Sequence, residues 1–147
     1  MSTEQNKAIV RRIYDEIINQ GNFEVADELF ASEYVYRSPG TPDLRGPDGF
    51  KELIGGYRSA FPDLHMTVQE MIAEGDSVAS RWTAEGTHQG ELMGIAPTGR
   101  HASIAGLIVT RLAGGKAVED FEIFDVMGLL QQLGAMPMAE EPVAAGR

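Results

Sequence analysis

The sequence predicts an α+β fold. Three observations carry that expectation: helical periodicity confined to the first 61 residues, alternation of period two after Pro62, and one closing apolar helical run after Asp125. Ile9, Val10, Ile13, Tyr14, Ile17 and Ile18 recur at spacings of three and four, which makes a first helix. Ser2 or Thr3 can cap it and Gly21 ends it. Val25, Ala26, Leu29 and Phe30 share one face of a second, short helix. Tyr34 to Arg37 reads as a short strand, followed by a turn-rich stretch with three prolines and three glycines. A third helix is expected near Pro47, burying Phe50, Leu53 or Ile54, Tyr57 and Phe61. Gly55 and Gly56 weaken it by roughly 1 kcal/mol each.

Beyond Pro62, Met66, Val68, Glu70 and Ile72 alternate with their neighbours, and Glu74-Gly75-Asp76 marks a hairpin. Ser77 to Gly86 makes a long strand and Ser103 to Leu112 another. Ala113 to Lys116 turns the chain tightly, so that Ala117 to Phe124 pairs back. Val126 to Leu133 forms the last helix, with Asp125 as its cap. Residues 1–136 are expected to form one domain and 137–147 a loose tail. A strongly curved sheet wrapped around helices would enclose an internal cavity.

Composition narrows the function classes. The 147 residues carry 22 Asp plus Glu against 12 Lys plus Arg, a net charge of −10. That opposes nucleic acid or an anionic membrane surface as partner. There is no cysteine, so thiolate zinc sites, disulfides and cysteine nucleophiles are excluded. His65, His88 and His101 are too widely spaced to suggest a metal site. No run of about 18 apolar residues and no targeting segment is visible, so a cytoplasmic protein is expected. The glycine-rich stretches lack the Lys-Ser/Thr of a phosphate loop.

Chemistry points to the last strand. Alternation places Val118, Asp120, Glu122 and Phe124 on one face and Glu119, Phe121 and Ile123 on the other. Both faces mix acids with apolar residues, so either a carboxylate points into an apolar interior or these acids lie in water at the sheet rim. An enclosed carboxylate would be tuned for proton transfer near neutral pH. His88 follows Trp82 by six residues and shares its strand face if the strand runs straight. A packed core histidine and a catalyst both fit that position. His65 and His101 read as surface.

The runs GTHQGELMGIAPTGRH and GGKAVEDFEIFDVMGLLQQLG, with EYVYRSPG and RGPDGFKELI before them in order, resemble the SnoaL-like polyketide cyclase family. The resemblance spans roughly residues 5 to 136. It implies a cone-shaped α+β barrel, related to ketosteroid isomerase and nuclear transport factor 2, and a cofactor-free enzyme without a metal. It implies an intramolecular aldol ring closure on an aromatic polyketide ester. The catalytic carboxylate maps onto Glu122, where the cyclases usually carry aspartate, and the family's Gly-Thr-His histidine onto His88. Where the cyclases place a histidine and a polar amide on the preceding strand, this chain has Ile108 and Gly106. Where they place a polar amide after the first short strand, it has Tyr36. On this reading Glu122 is the acid/base and His88 the oxyanion donor, with Tyr36, Tyr57, Trp82, Ile108, Asp120 and Phe124 around a small apolar or aromatic ligand. Two alternatives keep the cavity: an Asp120–His88–Glu122 set opening an epoxide or assisting hydroxylation, or a protein that binds a small ligand or dimerises without catalysis. Leu107, Val109, Phe121 and Ile123, facing away from the cavity, imply a homodimer packed through the outer sheet face.

Overall fold

The computed structural model describes residues 2–137. Helix α1 (Thr3–Arg12) starts with a capping box. The Ser2 hydroxyl accepts from the Gln5 N–H, and the Gln5 side chain accepts from the Ser2 N–H. The helix widens into a π-helical stretch, Ile13–Asn19, whose Tyr14, Ile17 and Ile18 are buried. Gly21 ends it in the left-handed region, at φ 72°. A short turn, Phe23–Val25, leads into α2 (Ala26–Leu29).

Strand β1 (Phe30–Ser38) is longer than Tyr34–Arg37 because it is paired on both sides. The stretch expected as turns contains a strand, β2 (Thr41–Arg45), lying antiparallel to β1 at the sheet edge. An edge strand tolerates Pro42, which has no N–H to give to a ladder. Helix α3 (Gly46–Ala60) begins with Pro47 in its first turn and buries Phe50 and Ile54; Phe61 beyond its end is buried too.

Four long strands follow: β3 (His65–Glu74), β4 (Ser77–Thr87), β5 (His101–Ala113) and β6 (Lys116–Phe124). Gly75 turns the first hairpin, and Gly114 and Gly115, both at positive φ, the last. Two consecutive positive φ values match the right-handed strand twist in a two-residue loop. The sheet order is β2-β1-β6-β5-β4-β3, with β1 and β6 parallel and all other neighbours antiparallel. The sheet is not closed, and its strands are mixed as well as curved around the helices' apolar residues. Ile13, Ile17, Phe50 and Ile54 pack against Val78, Trp82, Ile108 and Leu112 from one sheet face.

The connection between β4 and β5 is fastened to the end of α3. The Gln89 and Gly90 N–H groups both donate to the Ala60 carbonyl, at 2.9 and 3.1 Å. A side chain at Gly90 would meet the Ser59 carbonyl oxygen at 2.2 Å, so only glycine permits this contact. A second apolar cluster, holding Phe61, Leu92, Ala102, Leu129 and Leu133, seals that end.

Helix α4 (Val126–Gln132) carries the cap expected of Asp125, which accepts from the Gly128 N–H at 2.9 Å. The expected tail lies outside the described residues except for Pro137. Among the described residues no helix is long and apolar enough to cross a membrane. Asp125→Ala should destabilise the fold by about 1 kcal/mol, and Asp125→Asn by only a few tenths. Urea unfolding checks this: equal losses in the two variants would mean that the cap contributes nothing.

Candidate active site

The helices close one sheet face over an apolar cavity. Its walls include Phe50, Leu53, Ile54, Tyr57 and Phe61 from α3 and its end, and Leu129 from α4. The sheet supplies Tyr36, Trp82, Ile104, Ile108, Asp120, Glu122 and Phe124. No lysine, arginine or histidine lines it among the described residues.

Strand register explains how the acids come to face inward. Three rows cross the sheet: Trp82–Gly106–Phe124, Ser80–Ile108–Glu122 and Val78–Thr110–Asp120. Glu122 therefore sits beside Ile108, and Asp120 beside Thr110. β1 runs parallel to β6 on the other side, with Tyr36 opposite Asp120. Each of its inward tyrosines leans forward to an acid. Tyr34 donates to Asp120 Oδ2 at 2.6 Å, and Tyr36 to Glu122 Oε1 at 2.5 Å. Thr110 donates to Asp120 Oδ1 at 2.5 Å. Deeper in the core, the Tyr14 and Ser80 hydroxyls meet at 2.9 Å.

Burial sets the electrostatics. Glu122 is 8% exposed and Asp120 4%. Loss of water disfavours an ionised carboxylate, and this pushes Glu122 up to about 7. The Tyr36 hydrogen bond opposes the rise, and the neighbouring Asp120 adds to it. Asp120 is also raised by burial, against the pull of Thr110 and Tyr34. The tyrosines move upward too: burial takes Tyr57 to about 12 and Tyr36 higher still, with Glu122 adding to both. These phenols stay protonated and can only donate or accept hydrogen bonds, not carry charge.

Trp82 is the one tryptophan in the chain and is held by a missing side chain. A Cβ at Gly106 would lie 2.3 Å from the indole and 2.7 Å from Phe124. Glycine there lets the ring lie flat across β5. The buried Trp82 Nε1–H has no hydrogen-bond partner among the described residues, and its nearness to Glu122 favours the ionised carboxylate. A buried unpaired donor is uncommon, and here it borders the cavity.

Of the residues expected at the site, Glu122, Tyr36, Tyr57, Trp82, Ile108, Asp120 and Phe124 all line the cavity. His88 does not. It lies past the end of β4, about 20 Å along the strand from Trp82. Its Nδ1 accepts from the Thr98 N–H at 3.2 Å, and its ring packs on Phe61. The shared parity of residues 82 and 88 holds, but His88 lies beyond Gly86, behind Phe61, and is not part of the cavity wall. The Asp120–His88–Glu122 set is therefore not assembled. Asp120 lines the wall, yet hydrogen bonds occupy both its oxygens. His65 and His101 are exposed. Periodicity assigned no site role to Tyr34, Thr110, Tyr14 and Ser80. The signal for Tyr34 was its common parity with Tyr36, and for Thr110 its common parity with Ile108. Among the described residues no group of three or more His, Cys, Asp or Glu is placed to hold a metal ion.

With the geometry in place, comparison with known proteins defines the class. The model of the SnoaL-like polyketide cyclases matches residues 8–133, and the chain belongs to that family. It is 31% identical over 139 residues to the aklanonic acid methyl ester cyclase DnrD of Streptomyces peucetius, covering 91% of this chain and 92% of that one. It is 30% identical over 120 residues to the nogalonic acid methyl ester cyclase of Streptomyces nogalater, covering 79% and 88%. Among solved structures, IdmH of Streptomyces antibioticus superposes with a TM-score of 0.78 at 35% identity, over 88% of this chain and 99% of its own.

A pH dependence follows from Glu122. Its carboxyl binds a proton more tightly folded than unfolded, so its stabilising contribution is full below its ordinary value of 4.5 and is lost as pH rises to about 7. Glu122→Gln escapes that loss. It should match wild type at pH 4 and exceed it at pH 8, by up to about 3 kcal/mol. Urea unfolding at the two pH values checks the difference; the same gap at both would show that Glu122 is not proton-linked to folding.

Proposed function

We propose that this protein closes a ring by an intramolecular aldol reaction on a neutral, carbonyl-activated aromatic or polycyclic ester, with Glu122 as general acid/base. One observation carries the reading: a glutamate enclosed in an apolar cavity, held by a single phenol and raised to about 7. A base with that proton affinity is matched to a C–H acidified by two flanking carbonyls. The cavity holds two buried carboxylates and no cation, which disfavours a substrate carrying a free carboxylate and favours its ester. The methyl ester substrates in the relatives' names agree with that choice.

The steps use only the chain's own groups. Tyr36 fixes Glu122 Oε1, leaving Oε2 without a protein partner among the described residues. Glu122 removes the proton from the carbon between two carbonyls. The enolate oxygen is met by the unpaired Trp82 Nε1–H, with the Tyr57 hydroxyl as a second donor from α3. Carbon attacks the internal ketone, and the new alkoxide takes back the proton from Glu122. Trp82 and Tyr57, two of the donors that the sequence offers alongside Tyr36 and His88, thus take the oxyanion role in place of His88. Ile108 and Phe124 exclude water and present an apolar wall to the ring system.

Aklanonic acid methyl ester is the probe to use first. Glu122→Gln should reduce its conversion by 10²–10⁴-fold with an unchanged circular dichroism spectrum. Full activity in that variant would remove Glu122 from the chemistry.

The outer sheet face supports a homodimer. Leu107, Val109, Phe121 and Ile123 are between 40% and 56% exposed on adjacent strands. The charges around them are balanced: Arg81 pairs with Glu70, and Arg111 with Glu119. A patch with both signs around an apolar centre can mate with its own copy about a two-fold axis. Light scattering at micromolar concentration should give twice the 16.0 kDa chain mass, and Ile123→Lys should halve it. A monomeric wild type would refute the dimer.

A further inference from the structure

Asp120 has no part in the steps above, yet it is the most deeply enclosed acid of the described chain. Its two oxygens accept from hydroxyls on two different strands, Tyr34 of β1 and Thr110 of β5. Apolar side chains could join the same three strands without taking a carboxylate out of water. Something other than strand pairing accounts for an acid here.

Its position relative to Glu122 supplies the reason. The two side chains stand two residues apart on one face of β6, about 7 Å along the strand. No cation lies in the cavity to screen them. Burial raises Asp120, and both of its neighbours donate, an arrangement that favours its ionised form and opposes that rise. The titratable groups facing the pair are Tyr14 from the N-terminal helix, Tyr34 and Tyr36 from β1, and Tyr57 from α3. Burial keeps all four phenols neutral. Asp120 is therefore the group there that can place a charge beside Glu122.

Resting on the reading of Glu122 as the acid/base, we propose that Asp120 is a positioning residue for proton transfer: an ionised carboxylate, fixed by Tyr34 and Thr110, whose charge makes Glu122 a stronger base than its apolar walls alone would. Tyr34 and Thr110 act one step further out, by holding that charge in place. The strand carries two acids with separate duties, one exchanging the proton and one setting how firmly it is held.

The test follows Glu122 directly, without substrate. Carboxyl-¹³C-labelled glutamate reports its titration by NMR, with the Glu122 signal assigned by its loss in Glu122→Gln. Wild type should titrate near 7. Asp120→Asn, which keeps the shape and can still bond both hydroxyls, should lower the midpoint by about one to two pH units. Tyr34→Phe should lower it less, because Asp120 deprived of a donor ionises less readily. A folded Asp120→Asn protein with the wild-type midpoint would show that Asp120 only braces the strands, and would overturn the proposal while leaving Glu122's role intact. If Asp120→Asn does not fold, Tyr34→Phe and Thr110→Val decide by the same measurement. A wild-type Glu122 that titrates like an ordinary glutamate would defeat the acid/base reading itself, and this proposal with it.

Discussion

The parallel contact between β1 and β6 is the constraint around which the site is organised. It is the one parallel pairing in the sheet, and it sets a strand bearing two inward tyrosines beside a strand bearing two inward acids. Without the phenols, Asp120 and Glu122 would be buried with few donors, and burial of an unsatisfied carboxylate is among the most destabilising arrangements a core can contain. With too many donors, Glu122 would behave as an ordinary ionised acid. One phenol on Glu122, against two hydroxyls on Asp120, grades the two acids differently although they share a strand face.

The rest of the fold supports that balance by withholding things. α3 contributes apolar side chains and a phenol, but no cation. Gly106 withholds a side chain, so the indole of Trp82 occupies that space. A donor is thus brought to the cavity from a neighbouring strand and on an aromatic ring. Ile108 adds to the apolar wall. This cavity is tuned by desolvation more than by hydrogen bonding, which explains how a glutamate with so few partners reaches a proton affinity near neutrality.

Much of this was legible along the chain. The switch of period at Pro62 separated helices from strands, and Gly75 and the Gly114-Gly115 pair located the hairpins. The mixture of acids and apolar residues on β6 left open an enclosed carboxylate or acids in water at the sheet rim, and the resemblance singled out Glu122. What stayed hidden is what depends on distance between segments. Alternation states which face a residue shares but not how far along that face it lies, so His88 appeared to keep company with Trp82. Thr41 to Arg45 carries turn-forming residues and becomes a strand only because β1 offers it an edge. The bonds from Tyr34 and Tyr36 depend on a parallel register between strands more than 80 residues apart, which no local pattern encodes.

That separation has a consequence for how the molecule comes into being. Tyr34 and Tyr36 reach acids 86 residues later in the chain, whereas β3 to β6 are joined by a run of antiparallel neighbours. Closing so long a loop is entropically expensive, and such contacts form slowly compared with hairpins. The antiparallel strands can assemble while Asp120 and Glu122 still stand at an open edge, in water and ionised without penalty. Docking of β1 brings the two phenols that hold them, so the surroundings of the glutamate depend on a segment 86 residues earlier in the chain.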